Sequence, residues 1–141
     1  MFNKYVIIVC SLLLIGLIVF IRSSPRLKQS AIYKIIPKSD FYKKNEENCI
    51  KLSKLDKQSG FMHASYGGQV ENTIKKFFKK DNEVLVLELN IELLKNNGII
   101  VKPEANKPGG TMFPHLYGIQ KISLKAIKKT ILFKNDDFST I

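Results

Sequence analysis

The chain has 141 residues, with 23 Lys and Arg against 12 Asp and Glu and a formal net charge of +11. That length holds one domain plus a short appendage, and the basic balance favours anionic partners such as phosphorylated ligands, nucleic acid or a charged surface. Two cysteines, Cys10 and Cys49, exclude a disulfide framework, and nothing beside Cys49 would make it a reactive thiolate.

Residues 5–21, YVIIVCSLLLIGLIVFI, form an uncharged run. As a helix the run would reach about 26 Å at 1.5 Å per residue, the lower edge of a bilayer span. No A-x-A-like cleavage pattern follows it, so the expectation is an uncleaved transmembrane helix rather than a signal peptide. Lys4 stands alone before the run, whereas Arg22, Arg26 and Lys28 follow it. The positive-inside rule then places the remainder in the cytoplasm. The resulting division is an anchor and tether over 1–29, a domain over 30–134 and a polar tail over 135–141.

Ile32 to Ile36 is β-rich and reads as the first strand. Ser39 is placed to cap a short helix from Asp40 to Lys44. Residues 46–57 are polar with isolated apolar positions and read as a short strand and a turn. A helix is expected over Gln69 to Lys80, because Val70, Ile74, Phe77 and Phe78 recur at i, i+4, i+7 and i+8. Lys75, Lys76, Lys79 and Lys80 cover its other side. Glu83 to Asn90 is nearly all apolar through its middle, the pattern of a central strand. One helical turn from Ile91, a strand over Ile99 to Val101 and a Pro/Gly loop over Ala105 to Thr111 come next. The last strands fall at Ile122 to Leu124 and Ala126 to Phe133. This order, with strands dominating, makes an α+β domain.

Chemical capability is concentrated in two stretches that hold both histidines, Gly60-Phe61-Met62-His63-Ala64-Ser65 and Phe113-Pro114-His115-Leu116-Tyr117-Gly118. A pocket using imidazole chemistry would be built from them. Glu104 is the acidic residue beside the Pro/Gly loop and the second stretch. Each feature also has a plainer reading. His63 and His115 suit buried structural histidines bonded to backbone, and Tyr117 suits core packing. Glu104 suits a surface pair with Lys102 or Lys107, which would stabilise little.

The two histidine motifs, the Ile-Tyr-Lys-Ile strand (Ile32 to Ile35), the paired Phe77 and Phe78, the strand Val84 to Leu89 and Glu104 together resemble the bacterial family called domain of unknown function 952. The resemblance spans about Ala31 to Phe133. It implies a fold akin to ADP-ribosyltransferases, two small mixed sheets with a cleft between them, and a ligand such as NAD. With the N-terminal anchor, which is not part of the family pattern, the chain would be a single-pass protein of the inner membrane. By this analogy His63, His115 and Glu104 are the candidate catalytic residues of an NAD-using transferase. Ser65, Phe113, Tyr117 and Gly118 are the candidate cofactor-binding residues. In such chemistry a carboxylate stabilises the positive charge developing on the ribose, while donors hold its hydroxyls and the phosphates. Ser65 and the Tyr66-Gly67-Gly68 backbone would take a phosphate at the start of the following helix.

Two other classes use the same chain differently. His63, His115 and Glu104 would make a two-histidine, one-carboxylate metal site, although no H-x-x-x-H or H-E-x-x-H spacing supports it. Alternatively the lysine face of the helix would serve a non-catalytic module at the membrane, binding a nucleotide, RNA or an acidic partner.

Overall fold

The apolar run Val84 to Leu87 becomes the centre of the main sheet. In the computed structural model, which describes residues 26–43 and 48–134, strand β5 (Glu83–Leu89) lies between β1 (Ile32–Pro37) and β9 (Ile127–Lys134), and β4 (Ser65–Tyr66) completes a four-stranded sheet in the order β4-β1-β5-β9. Alternation along the strands sends side chains into two separate clusters. Tyr33 and Ile35 of β1, Val84 and Val86 of β5, and Ile131 and Phe133 of β9 face one way. Against them packs helix α3 (Val70–Phe77), through the fully buried Val70 and Ile74. Ile32, Ile36, Leu85, Leu87 and Leu89 face the other way, into a second cluster with Ile50, Met62, Leu116 and Ile122.

That second cluster is where the smaller sheets join the main one. β2 (Cys49–Lys51) pairs with β8 (Lys121–Ser123), while β3 (Met62–His63), β7 (Met112–Tyr117) and β6 (Ile100–Ala105) form a three-stranded sheet in the order β3-β7-β6. Three short helices fill the connections: α1 (Lys38–Lys43), α2 (Lys54–Ser59) and α4 (Ile91–Asn96). The α+β class holds, with sheets dominating.

Several expectations are corrected. Among the described residues there are three sheets rather than two mixed ones, and every strand pairing is antiparallel. The sequence pattern located strands without saying which would pair. The expectation of two mixed sheets, which the resemblance implied, is therefore not met. The transmembrane helix is corrected as well: among the described residues no helix is long and apolar enough to cross a membrane. The longest α-helix among them, α3, has eight residues, about 12 Å against a hydrocarbon core of about 30 Å. Residues 5–21, which carried that expectation, lie outside the described residues, as does the tail over 135–141. The single-pass inner-membrane assignment with a cytoplasm-facing domain, which rested on that span, is withdrawn.

Local differences have local causes. α3 ends at Phe77 instead of Lys80, because Phe78 leaves helical geometry at φ −116° and ψ 26°. Phe77 is consequently 63% exposed rather than part of the core stripe. The segment read as a turn before Gly60 is helix α2, started by a capping box in which Ser53 and Asp56 bond each other's backbone N–H. Gly60 closes it in the left-handed region at φ 75°. β6 runs through Pro103 to Ala105, which is tolerated because β6 is an edge strand, where a missing N–H costs least.

Candidate functional site

Antiparallel register brings the two histidine motifs together. His63 on β3 lies directly opposite His115 on β7, and His115 lies opposite Lys102 on β6. The period of two then puts Phe113, Tyr117 and Glu104 on the same face, while Met62, Leu116 and Val101 turn to the opposite face. Met62 and Leu116 are core residues, with Val101 packed against them. The imidazole centroids are 5.4 Å apart. Phe61 links the group: its ring stacks on His115 at 4.0 Å and lies 4.7 Å from His63 and 5.2 Å from Tyr117.

Each imidazole has its own carboxylate. Asp56 Oδ1 accepts from the backbone N–H of His63 and lies 3.0 Å from His63 Nδ1. Its other oxygen accepts from Lys34 Nζ at 2.7 Å and from the Ser53 N–H at 3.2 Å. Lys34 Nζ also donates to the His63 carbonyl at 2.9 Å. Asp56 is only 1% exposed. Burial pushes its carboxyl up, but the bonds from His63 and the Lys34 ammonium outweigh that and hold it far below the usual carboxylate range. An ionised Asp56 only accepts, so the proton between the groups sits on His63 Nδ1. Nε2 of His63, whose side chain is 27% exposed, takes no part in the pairing with Asp56.

On the second pair, Glu104 Oε2 accepts from the Tyr117 hydroxyl at 2.6 Å and lies 3.1 Å from His115 Nδ1. The Tyr117 and His115 bonds hold Glu104 below its usual range, and Glu104 in turn raises the Tyr117 phenol. The same argument assigns the proton to His115 Nδ1. Lys102 Nζ lies 4.9 Å from the centre of the Tyr117 ring, a cation over a π face. His115 is 3% exposed, and its buried Nε2 has no hydrogen-bond partner among the described residues.

A cavity of about 540 Å³ opens beside the first pair, within the range of small-molecule sites. Lys34, Asp56, His63, Ser65 and Thr73 form its polar side, with Ser65 Oγ 3.2 Å from Thr73 Oγ1. Ile36, Phe78 and Phe113 contribute apolar wall, and the exposed Leu55 and Phe77 line it too.

Of the residues expected to act, His63, Ser65 and Phe113 thus line the cavity. His115, Glu104 and Tyr117 form the adjoining cluster, joined to His63 through Phe61. Gly118, at φ 80°, turns the chain after β7 and lines no part of the cavity. The phosphate cradle expected at Tyr66-Gly67-Gly68 is not open. The Gly67 N–H already donates to the carbonyls of Gln29 and Ala31, and a Cβ there would collide with the Lys28 carbonyl. Nor do His63, His115 and Glu104 make a metal centre. Each Nδ1 is turned to a different carboxylate, and among the described residues no group of three or more His, Cys, Asp and Glu is arranged to hold a metal. On the lysine face of α3, Lys75 pairs with Glu71 at 2.7 Å and Lys76 sits over the Phe77 ring at 5.0 Å.

Sequence reasoning missed Asp56 and Lys34. The pattern Ser53-x-x-Asp56 is a capping signal, and a lysine flanked by Tyr33 and Ile35 in an apolar strand asks for a buried acceptor.

The fold recurs in solved structures. The chain is similar to the crystal structure of protein CC0527 from Caulobacter crescentus, at 27% identity and a TM-score of 0.60, covering 72% of this chain and 84% of that one. It is also similar to the solution NMR structure of CC0527, at 28% identity and a TM-score of 0.57, covering 72% and 82%. No curated protein matches the chain. Residues 35–130, which include both carboxylate–imidazole pairs, match the family model described as protein of unknown function (DUF952); the chain belongs to that family.

Proposed function

We propose that the histidine face and its adjoining cavity bind a nucleotide-like ligand, with NAD or ADP-ribose as the type. The observation that carries this reading is the cross-strand pair of imidazoles, each fixed through Nδ1 by its own carboxylate. A ring oriented this way at the edge of a cavity of about 540 Å³, that of His63, with His115 5.4 Å from it, is suited to reading hydroxyls, with the apolar walls covering a base. Lys76, on the cavity's lining, and the net charge of +11 favour a phosphate-bearing molecule.

Binding is better supported than ADP-ribosyl transfer. Transfer asks for a carboxylate facing the ribose as positive charge develops, whereas Glu104 Oε2 is engaged by both Tyr117 and His115. Thermal shifts of the purified chain with NAD, ADP-ribose and AMP test the reading. Stabilisation is expected with at least one of them, and it should be lost in His63→Ala. No shift with any at millimolar concentration, or an unchanged shift in His63→Ala, would end it.

A further inference from the structure

The buried Nε2 of His115 makes no hydrogen bond among the described residues. Its ring is held from the other side, by Glu104 at Nδ1, and one face is covered by Phe61. Buried polar atoms are nearly always satisfied, and one left without a partner destabilises the protein that carries it. Filling the position with an apolar side chain would remove that penalty, yet the ring is positioned by a carboxylate that itself receives a tyrosine hydroxyl. A three-residue arrangement that orients an idle atom is accounted for if the atom has an external partner.

The geometry points to His115 Nε2 as an acceptor site for a hydroxyl group of the ligand, with Phe61 stacked over the ring as its cover. This rests on the reading that the histidine face is the binding site. It goes further by stating which ligand group meets which ring. In the neutral imidazole with its proton on Nδ1, Nε2 presents a lone pair. A fully ionised oxyanion such as sulfate or a carboxylate would meet it lone pair to lone pair, so a neutral donor such as a sugar hydroxyl is selected over it. His63 shares the tautomer but borders the cavity and is partly exposed. Phe61 is the cover because it is only half-buried, follows the left-handed Gly60 and touches both imidazoles and the Tyr117 ring. Moving one side chain, without moving a strand, would open the site.

The test uses the full chain and diethyl pyrocarbonate, which acylates an imidazole lone pair, with modified sites read by mass spectrometry. His63 should react at least about tenfold faster than His115 in the unchanged protein, since His115 reacts only through local opening. Phe61→Ala should raise the His115 rate by about tenfold or more while the circular dichroism stays native. In that variant D-ribose at high concentration should protect His115 and inorganic sulfate should not. Continued inertness of His115 in folded Phe61→Ala would show that Nε2 faces packed core, and the site would not exist. Protection by sulfate, or by neither probe, would overturn the hydroxyl assignment. Should Phe61→Ala fail to fold, nitrogen-15 spectra of the histidines in the unchanged protein still decide: a proton on His115 Nε2 sinks the proposal. Neither NAD nor ADP-ribose enters these measurements. Failed nucleotide binding with His115 behaving as stated would remove only the nucleotide reading.

Discussion

The two carboxylate–imidazole pairs are built alike and buried in opposite senses. In one, the carboxylate of Asp56 is 1% exposed and the imidazole of His63 is 27% exposed. In the other, the imidazole of His115 is 3% exposed and the carboxylate of Glu104 is 39% exposed. The difference separates two jobs. Asp56 ties α2, β1 and β3 together through Ser53, Lys34 and His63, so it supports the fold as well as the ring it orients. Glu104 sits on an edge strand and holds only two side chains of its own sheet, so its effect is confined to the ring and the phenol.

The sharpest way to break this contrast is Asp56→Ala. It strips the carboxylate from a buried ammonium and leaves the Ser53 and His63 N–H groups without their acceptor. A loss of about 3–5 kcal/mol in urea unfolding is expected, the range for removing one partner of a buried pair. Lys34→Met should cost less, about 1–3 kcal/mol, because Asp56 keeps its bonds from His63 and Ser53 and the methionine fills most of the volume. A smaller loss in Asp56→Ala than in Lys34→Met would refute the assignment of Asp56 as the junction.

Acid titration sharpens the same comparison. Asp56 is lowered in the folded protein, so on acidification the unfolded chain takes up its proton first. Its contribution is complete above the ordinary aspartate range, about pH 4, and disappears as pH falls through the lowered folded value. Urea midpoints measured from pH 7 to pH 2 should fall less steeply below pH 4 in Asp56→Asn than in the unchanged protein. A parallel acid limb in the two would contradict it.

The smallest effect belongs to the second pair. Glu104→Gln should scarcely move the urea midpoint at pH 7. It should, however, let the Tyr117 phenol fall back towards its ordinary value, since Glu104 is what raises it. Ultraviolet titration of tyrosinate reads this directly, and an unchanged curve would show that the short hydrogen bond does not form in solution.

How much of this was legible in the sequence depended on whether the signal was local. The strand around Val84 to Leu87 and the buried stripe of Val70 and Ile74 follow from periodicity, and both are where expected. The convergence of Gly60 to Ser65 with Phe113 to Gly118 was suggested by composition and is realised by strand pairing, with His63 opposite His115. Asp56 was not legible as a site residue, because its importance comes from α2 packing beside β3, a contact no local pattern encodes. Phe77 misled for the opposite reason. Its spacing matched the apolar stripe, but it occupies the last residue of the helix, where the chain turns away and leaves the ring at the cavity instead of in the core. Sheet number was misjudged because hydrophobic alternation identifies strands without naming their partners.

Lys34 has a consequence for how the chain finds this arrangement. It shares a face of β1 with Ile32 and Ile36, and its ammonium reaches an acceptor on α2 and another on β3. Were β1 to slide one residue along β5, that ammonium would turn into the layer occupied by Val70 and Ile74, far from Asp56. Tyr33 or Ile35 would then sit over the carboxylate. Apolar strands such as β1 and β5 tolerate misalignment because one aliphatic contact replaces another at similar energy, and a buried charge with a fixed partner makes the shifted pairing much worse than the native one. Lys34 therefore acts as a registration mark for the main sheet: it discriminates among pairings that the surrounding isoleucines and valines would accept alike.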